Sequence, residues 1–107
     1  MTDRTPLLAE VDRLLRTPLE GDKAPVLDRI DETLTEASAC ALILEAERLR
    51  LERAISRATV AMLGDGRPPC EELGALTRRV QATNRELRML RAKLRSLRVR
   101  QREIRAA

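Results

Sequence analysis

The residues in this chain whose types could do chemistry are two cysteines, two close pairs of glutamates and a run of arginines near the C-terminal end. Cys40 and Cys70 are possible nucleophiles or metal ligands. Glu45/Glu47 and Glu71/Glu72 could share a proton or hold a cation. Arg88, Arg91, Lys93, Arg95, Arg98, Arg100, Arg102 and Arg105 are opposed in their own stretch by Glu103 alone, and could neutralise phosphates. Most of this chemistry fails on inventory. Histidine is absent, which removes the commonest general base and the commonest metal ligand. Two cysteines are too few for a four-ligand zinc site, and they form no CxxC. There is no phosphate-cradling glycine loop and no nucleophile–base pair. The glutamate pairs read as solvated helix faces. We therefore expect no enzyme, no cofactor and no metal.

The elements that carry these residues are helical. Phe, Tyr and Trp are absent, so any core is aliphatic, and 107 residues make a single small domain, short enough to favour a partner or a second copy. Thr5-Pro6 opens a short amphipathic helix over 5–16, with Thr5 as the expected cap. Its apolar face carries Leu7, Leu8, Val11, Leu14 and Leu15. Two prolines and a glycine make 17–24 a linker. A long helix over 25–63 follows, its N-terminal end suited by Asp28, Asp31 and Glu32. In steps of three and four it presents Leu27, Ile30, Leu34, Ala37, Ala41, Leu44, Arg48, Leu51, Ile55, Ala58 and Met62, a heptad seam with Arg48 as its polar intruder. Residues 64–69 are a turn, in which glycines end one helix and prolines start the next. A basic helix over 70–105 repeats the pattern at Leu73, Leu76, Val80, Thr83, Leu87, Leu90, Leu94, Leu97, Gln101 and Ile104.

Two long helices joined by a short turn fold back on each other. The fold class predicted is therefore all-α, an antiparallel coiled-coil-like hairpin of two long helices with a short N-terminal helix. With the turn near Gly66, residue i faces about residue 132 − i, so Arg48 either meets Asn84 in a polar layer or snorkels to water. Cys40 and Cys70 then lie about 30 Å apart at the helical rise, which excludes a disulfide between them. Cys40 is expected as a small buried residue and Cys70 as an incidental one at a helix start, where the helix end could lower its pKa. A second, partial apolar stripe contains Leu42, Ile43, Leu49 and Val99. The N-terminal helix is placed to cover part of it, and the remainder is an interaction surface.

Charge is unevenly spread. Residues 1–63 hold 9 Lys/Arg against 12 Asp/Glu, net −3, and residues 64–107 hold 12 against 5, net +7. Nineteen of the 21 basic residues are Arg, which with the abundant Ala and Leu reads as the codon bias of a GC-rich genome. A basic surface of Arg91, Arg95, Arg98 and Arg102 could contact nucleic acid. Arginines at a helix C-terminus also favour the helix dipole without a ligand, and no aromatics are present for base stacking. We rank nucleic acid last among the partners. The N-terminal stretch MTDRTPLLAEVDR is no signal peptide, and no apolar run reaches a membrane-spanning length. The expected location is the cytoplasm.

The segment CEELGALTRRVQATNRELRMLRAKLRSLRVRQREI resembles the C-terminal helix of FlgN-type flagellar export chaperones, with Asn84-Arg85 followed by Leu87, Leu90 and Leu94. LLRTPLEGDKAPVLDRI, Leu14 to Ile30, is similar to the Gly-Asp break between early helical segments of that family. The resemblance implies a cytosolic, non-enzymatic chaperone that holds hook–filament junction proteins for type III export. It also implies partner binding through Val80, Leu87, Leu90, Leu94 and Leu97. The alternative is a homodimeric coiled-coil regulator or scaffold that binds another protein, for example a transcription factor.

Overall fold

The structure, a computed structural model, describes residues 4–18, 20–65 and 70–107. Among them there are three helices and no strand: α1 (Thr5–Arg16), α2 (Ala24–Asp65) and α3 (Cys70–Ala106). The two long helices pack against each other, with the short N-terminal helix alongside. No helix is long and apolar enough to cross a membrane, among the described residues. The turn expected at 64–69 falls largely outside the described residues. Gly64 and Asp65 belong to the end of α2.

Local chemistry sets the helix ends. Thr5 does not cap α1. It is the first helical residue, and Arg4 takes the N-cap position without a side-chain cap bond, while its carbonyl accepts from Leu8 N–H at 3.0 Å. Pro6 tolerates this place because an N–H in the first turn has no helical acceptor. At the other end, the Thr17 hydroxyl donates to the Arg13 carbonyl at 2.8 Å and Arg16 Nε to the Asp12 carbonyl at 3.2 Å. These bonds serve carbonyls that the helix leaves open. The linker then turns at Gly21, whose φ of 75° suits glycine. Asp22 Oδ1 accepts from Ala24 N–H at 3.1 Å, and the Lys23 carbonyl accepts from Leu27 N–H at 3.0 Å, which starts α2.

The chain divides into two compact units, residues 1–41 with 89–107 and residues 42–88. In the first, Val11 and Leu14 of α1, Ile30 of α2, and Leu97 and Ile104 of α3 form one buried cluster. Leu15, Val26, Leu27 and Leu34 pack against it. Each fully buried aliphatic side chain contributes about 1.5–3 kcal/mol. Polar contacts fasten the helices around this core. Lys93 Nζ donates to Asp12 Oδ1 at 2.5 Å, Arg29 Nε to Glu10 Oε1 at 2.7 Å, and Arg100 Nη2 to the Thr17 carbonyl at 2.6 Å. Gln101 donates to Asp31, and Lys23 to the Ala107 carbonyl.

In the second unit, Leu44, Leu51, Thr83 and Leu87 are buried, while Ile55, Ala58, Met62, Leu73, Leu76 and Val80 are half-buried. Arg48 Nη1 approaches Asn84 Oδ1 at 3.5 Å, and Arg48 Nε lies 3.9 Å from Glu52. Each unit thus shows antiparallel pairing of α2 with α3, through Asp31–Gln101 in one and Arg48–Asn84 in the other. Both pairs match the register that a turn at Gly66 dictates.

No seam residue named from the heptads is exposed. One buried position was not anticipated: Thr33, 3 % exposed, lies off the α2 seam beside Leu34, which is only half-buried. Three helices meet in that unit, so the covered arc of α2 is wider than a two-helix seam requires. Cys40 is free and half-buried rather than fully enclosed. The side-chain environment of Cys70 lies outside the described residues.

Candidate functional site

Because α2 packs on α3 through Leu44, Arg48, Leu51 and Ile55, side chains about half a turn away must face outward. That outer face is unusually apolar within residues 42–88. Leu42 is 66 % exposed, Ile43 58 %, Leu49 47 %, Val60 69 % and Leu63 84 %. Sequence reasoning identified Leu42, Ile43 and Leu49. It missed Val60 and Leu63, although their spacing from Leu49 continues the same helical stripe. Val99, also named from the sequence, is 44 % exposed, and Met89 is 45 % exposed. Five large aliphatic side chains over 22 residues of one helix form a surface that gains free energy by burying a partner's apolar face.

The leucines to which the resemblance points lie elsewhere. Leu87, Leu90, Leu94 and Leu97 are all at most 5 % exposed, and Val80 is half-buried. They are core side chains of this chain. A client reaches them only by displacing what already covers them, at a cost comparable to the burial it would gain.

Part of the basic surface is also committed internally. Lys93 is paired with Asp12, Arg100 holds the Thr17 carbonyl, and Arg105 lies 3.8 Å from Asp31. Arg91 is half-buried, whereas Arg95, Arg98 and Arg102 are exposed on α3. Those three recur every three or four residues, so they share one solvent-facing stripe.

The most perturbed group belongs to the scaffold. Glu10, with 20 % of its side chain exposed, accepts from Arg13 at 2.7 and 2.9 Å and from Arg29 at 2.7 Å. The hydrogen bonds from Arg13, then from Arg29, lower its pKa from 4.5 to about 2. A carboxylate held this firmly between two guanidiniums is a fastener of α1 to α2, ill-suited to exchanging protons near neutrality. Among the described residues no group of three Cys, Asp or Glu side chains could hold a metal ion.

No protein-family model, curated protein or solved structure matches this chain.

Proposed function

We propose that the protein is a non-enzymatic helical binding protein whose working surface is the outer face of α2, on which it buries an amphipathic helix supplied by another chain. One observation carries this reading: Leu42, Ile43, Leu49, Val60 and Leu63 stand exposed on a single helix while the opposite face of that helix is already used. An amphipathic helix laid along such a stripe contributes apolar anchors at matching helical spacing.

The form implied by the resemblance is a cytosolic chaperone for flagellar hook–filament junction proteins, and its support is the leucine and arginine spacing of Cys70 to Ile104. The client would bind in coupled folding, as disordered segments of partially folded proteins do. The other form is a homodimeric regulator or scaffold, favoured by the alternating charges Glu45, Arg50, Glu52 and Arg57 that flank the stripe. Nucleic acid ranks behind both. The exposed arginines of α3, with no aromatic side chains for base stacking, should give only weak duplex binding that falls steeply with salt, and sub-micromolar affinity at physiological salt would reverse this ranking.

The functional test is capture of purified hook–filament junction proteins by the intact chain, with circular dichroism as the folding control. Leu42→Asp with Leu49→Asp should abolish capture and leave helicity intact. Undiminished capture by that variant would move the working surface away from α2.

A further inference from the structure

The outer stripe of α2 is itself a heptad seam. Leu42, Leu49, Ser56 and Leu63 recur every seven residues, and Ala46, Arg53 and Val60 recur every seven between them, so the steps alternate four and three throughout. All seven are exposed, so none is used by the chain's own core. In coiled-coil lettering the first set occupies d and the second occupies a. Leu at d with a β-branched residue at a favours two strands in parallel coils, and Val60 over Leu63 is one such pair in this seam.

The flanking positions decide which helix fits. Ile43, Arg50 and Arg57 stand at e, and Glu45, Glu52 and Thr59 at g. Glu45 is half-buried. Glu52 is exposed and lies 3.9 Å from Arg48 of its own helix, a surface contact that leaves its carboxylate able to accept from a second copy. In a parallel pair each g residue faces the e residue five places further along the other helix. Glu45 then meets Arg50 of the second copy and Glu52 meets its Arg57, and the symmetry repeats both pairs. In an antiparallel pair e faces e and g faces g, which sets arginines against arginines and glutamates against glutamates. Charges at e and g set partner choice and orientation in coiled coils. The stripe therefore carries its own complement, as the face of a two-fold dimer must.

We propose that the chain forms a parallel homodimer in which residues 42–63 of α2 pair in register with the same residues of a second copy. This rests on the reading of the outer face of α2 as the protein-binding surface, and it names the occupant. The seam is about three heptads long, near the minimum that a coiled-coil pattern needs. Arg53 at one a position and Ser56 at one d position weaken it. A single polar a position also specifies register and restricts the number of strands.

Sedimentation equilibrium of the intact chain should give twice the 12.1 kDa monomer mass at micromolar concentration. A monomer at hundreds of micromolar overturns the proposal. Glu45→Arg with Glu52→Arg, or Arg50→Glu with Arg57→Glu, should each leave a helical monomer, and an equimolar mixture of the two variants should recover the dimer mass. The fourfold exchange, all four substitutions in one chain, keeps every pair complementary and should dimerise like the wild type. This keeps the test decisive even where a double variant folds poorly. Dimerisation indifferent to both double variants overturns the charge pairing. Orientation is read from Ala46→Cys and Ser56→Cys, one at a time, on a Cys40→Ala, Cys70→Ser background. Each should form a disulfide with its own counterpart on mild oxidation; bonding at only one site, or at neither, overturns the parallel register. A monomeric wild type that still captures a client through Leu42 and Leu49 overturns the dimer and keeps the binding face. A monomer whose client capture ignores Leu42→Asp with Leu49→Asp overturns both.

Discussion

The two compact units use the same two long helices and end with different surfaces. Residues 1–41 with 89–107 add α1, and there Val11, Leu14, Ile30, Leu97 and Ile104 are at most 1 % exposed. Residues 42–88 have only α2 and α3, and five large aliphatic side chains stand at least 47 % exposed. A pair of helices buries one stripe on each, and a second stripe needs a third helix. The difference between the units is the difference between having that helix and lacking it. The unit that lacks it holds five of the seven exposed large hydrophobic side chains among the described residues, against Met89 and Val99 in the other.

The largest effect that should break this comparison comes from removing the anchor of α1. Leu14→Ala should destabilise the chain by about 2–5 kcal/mol through lost burial and a cavity. Leu63→Ala, at a position 84 % exposed, should stay within about 0.5 kcal/mol in the monomer. Urea denaturation at dilute concentration measures both, and equal losses would contradict the contrast between the units.

A smaller effect is expected at Arg48, the polar layer of the two-helix unit. Its hydrogen bond to Asn84 is long, at 3.5 Å, and 35 % of its side chain stays exposed, so it combines the polar layer with partial snorkelling. Arg48→Leu should stabilise the monomer by about 1 kcal/mol, because a part-covered leucine gains burial where the guanidinium gained little. A lower melting temperature for that variant would show the Asn84 contact to be worth more than its geometry suggests.

An effect that appears only in acid belongs to the fastener of the three-helix unit. The folded-state pKa of Glu10 lies at about 2, below its ordinary 4.5. Its contribution to stability is therefore fully present above pH about 4.5 and is lost as pH falls through about 2. Glu10→Gln should flatten the acid limb of a stability-against-pH curve within that window and leave the neutral limb parallel to wild type. An unchanged acid limb would show that the Arg13 and Arg29 bonds do not persist in solution.

How much of this was legible in the sequence varies by residue. The heptad residues from Leu27 to Met62 and from Leu73 to Ile104 are all buried or half-buried, because a period near 3.5 leaves little choice of face. The pairing of Arg48 with Asn84 follows from the position of the turn alone. Thr33 was not legible: it lies off the heptad positions of α2, and a local period does not record that a third helix joins that unit. Thr5 was misread as a cap, since Arg4 takes that place and the preference for Ser or Thr there is statistical. Internal use of Lys93 and Arg100 was likewise hidden, because Asp12 and the Thr17 carbonyl are more than 80 residues away along the chain.

By itself the sequence determined three helices, their antiparallel pairing and two aliphatic stripes, because hydrophobic spacing and proline–glycine breaks act locally. The stripe containing Leu87, Leu90, Leu94 and Leu97 and the stripe from Leu42 to Leu63 look alike at that level, both aliphatic and both at coiled-coil spacing. Only the tertiary structure decided between the core and the partner-binding readings of the first, which it buries, and extended the second to Val60 and Leu63. Burial depends on which helix arrives to cover a face. That is set by long-range contacts such as Asp12–Lys93 and Glu10–Arg29, and the side chains being covered carry no record of it.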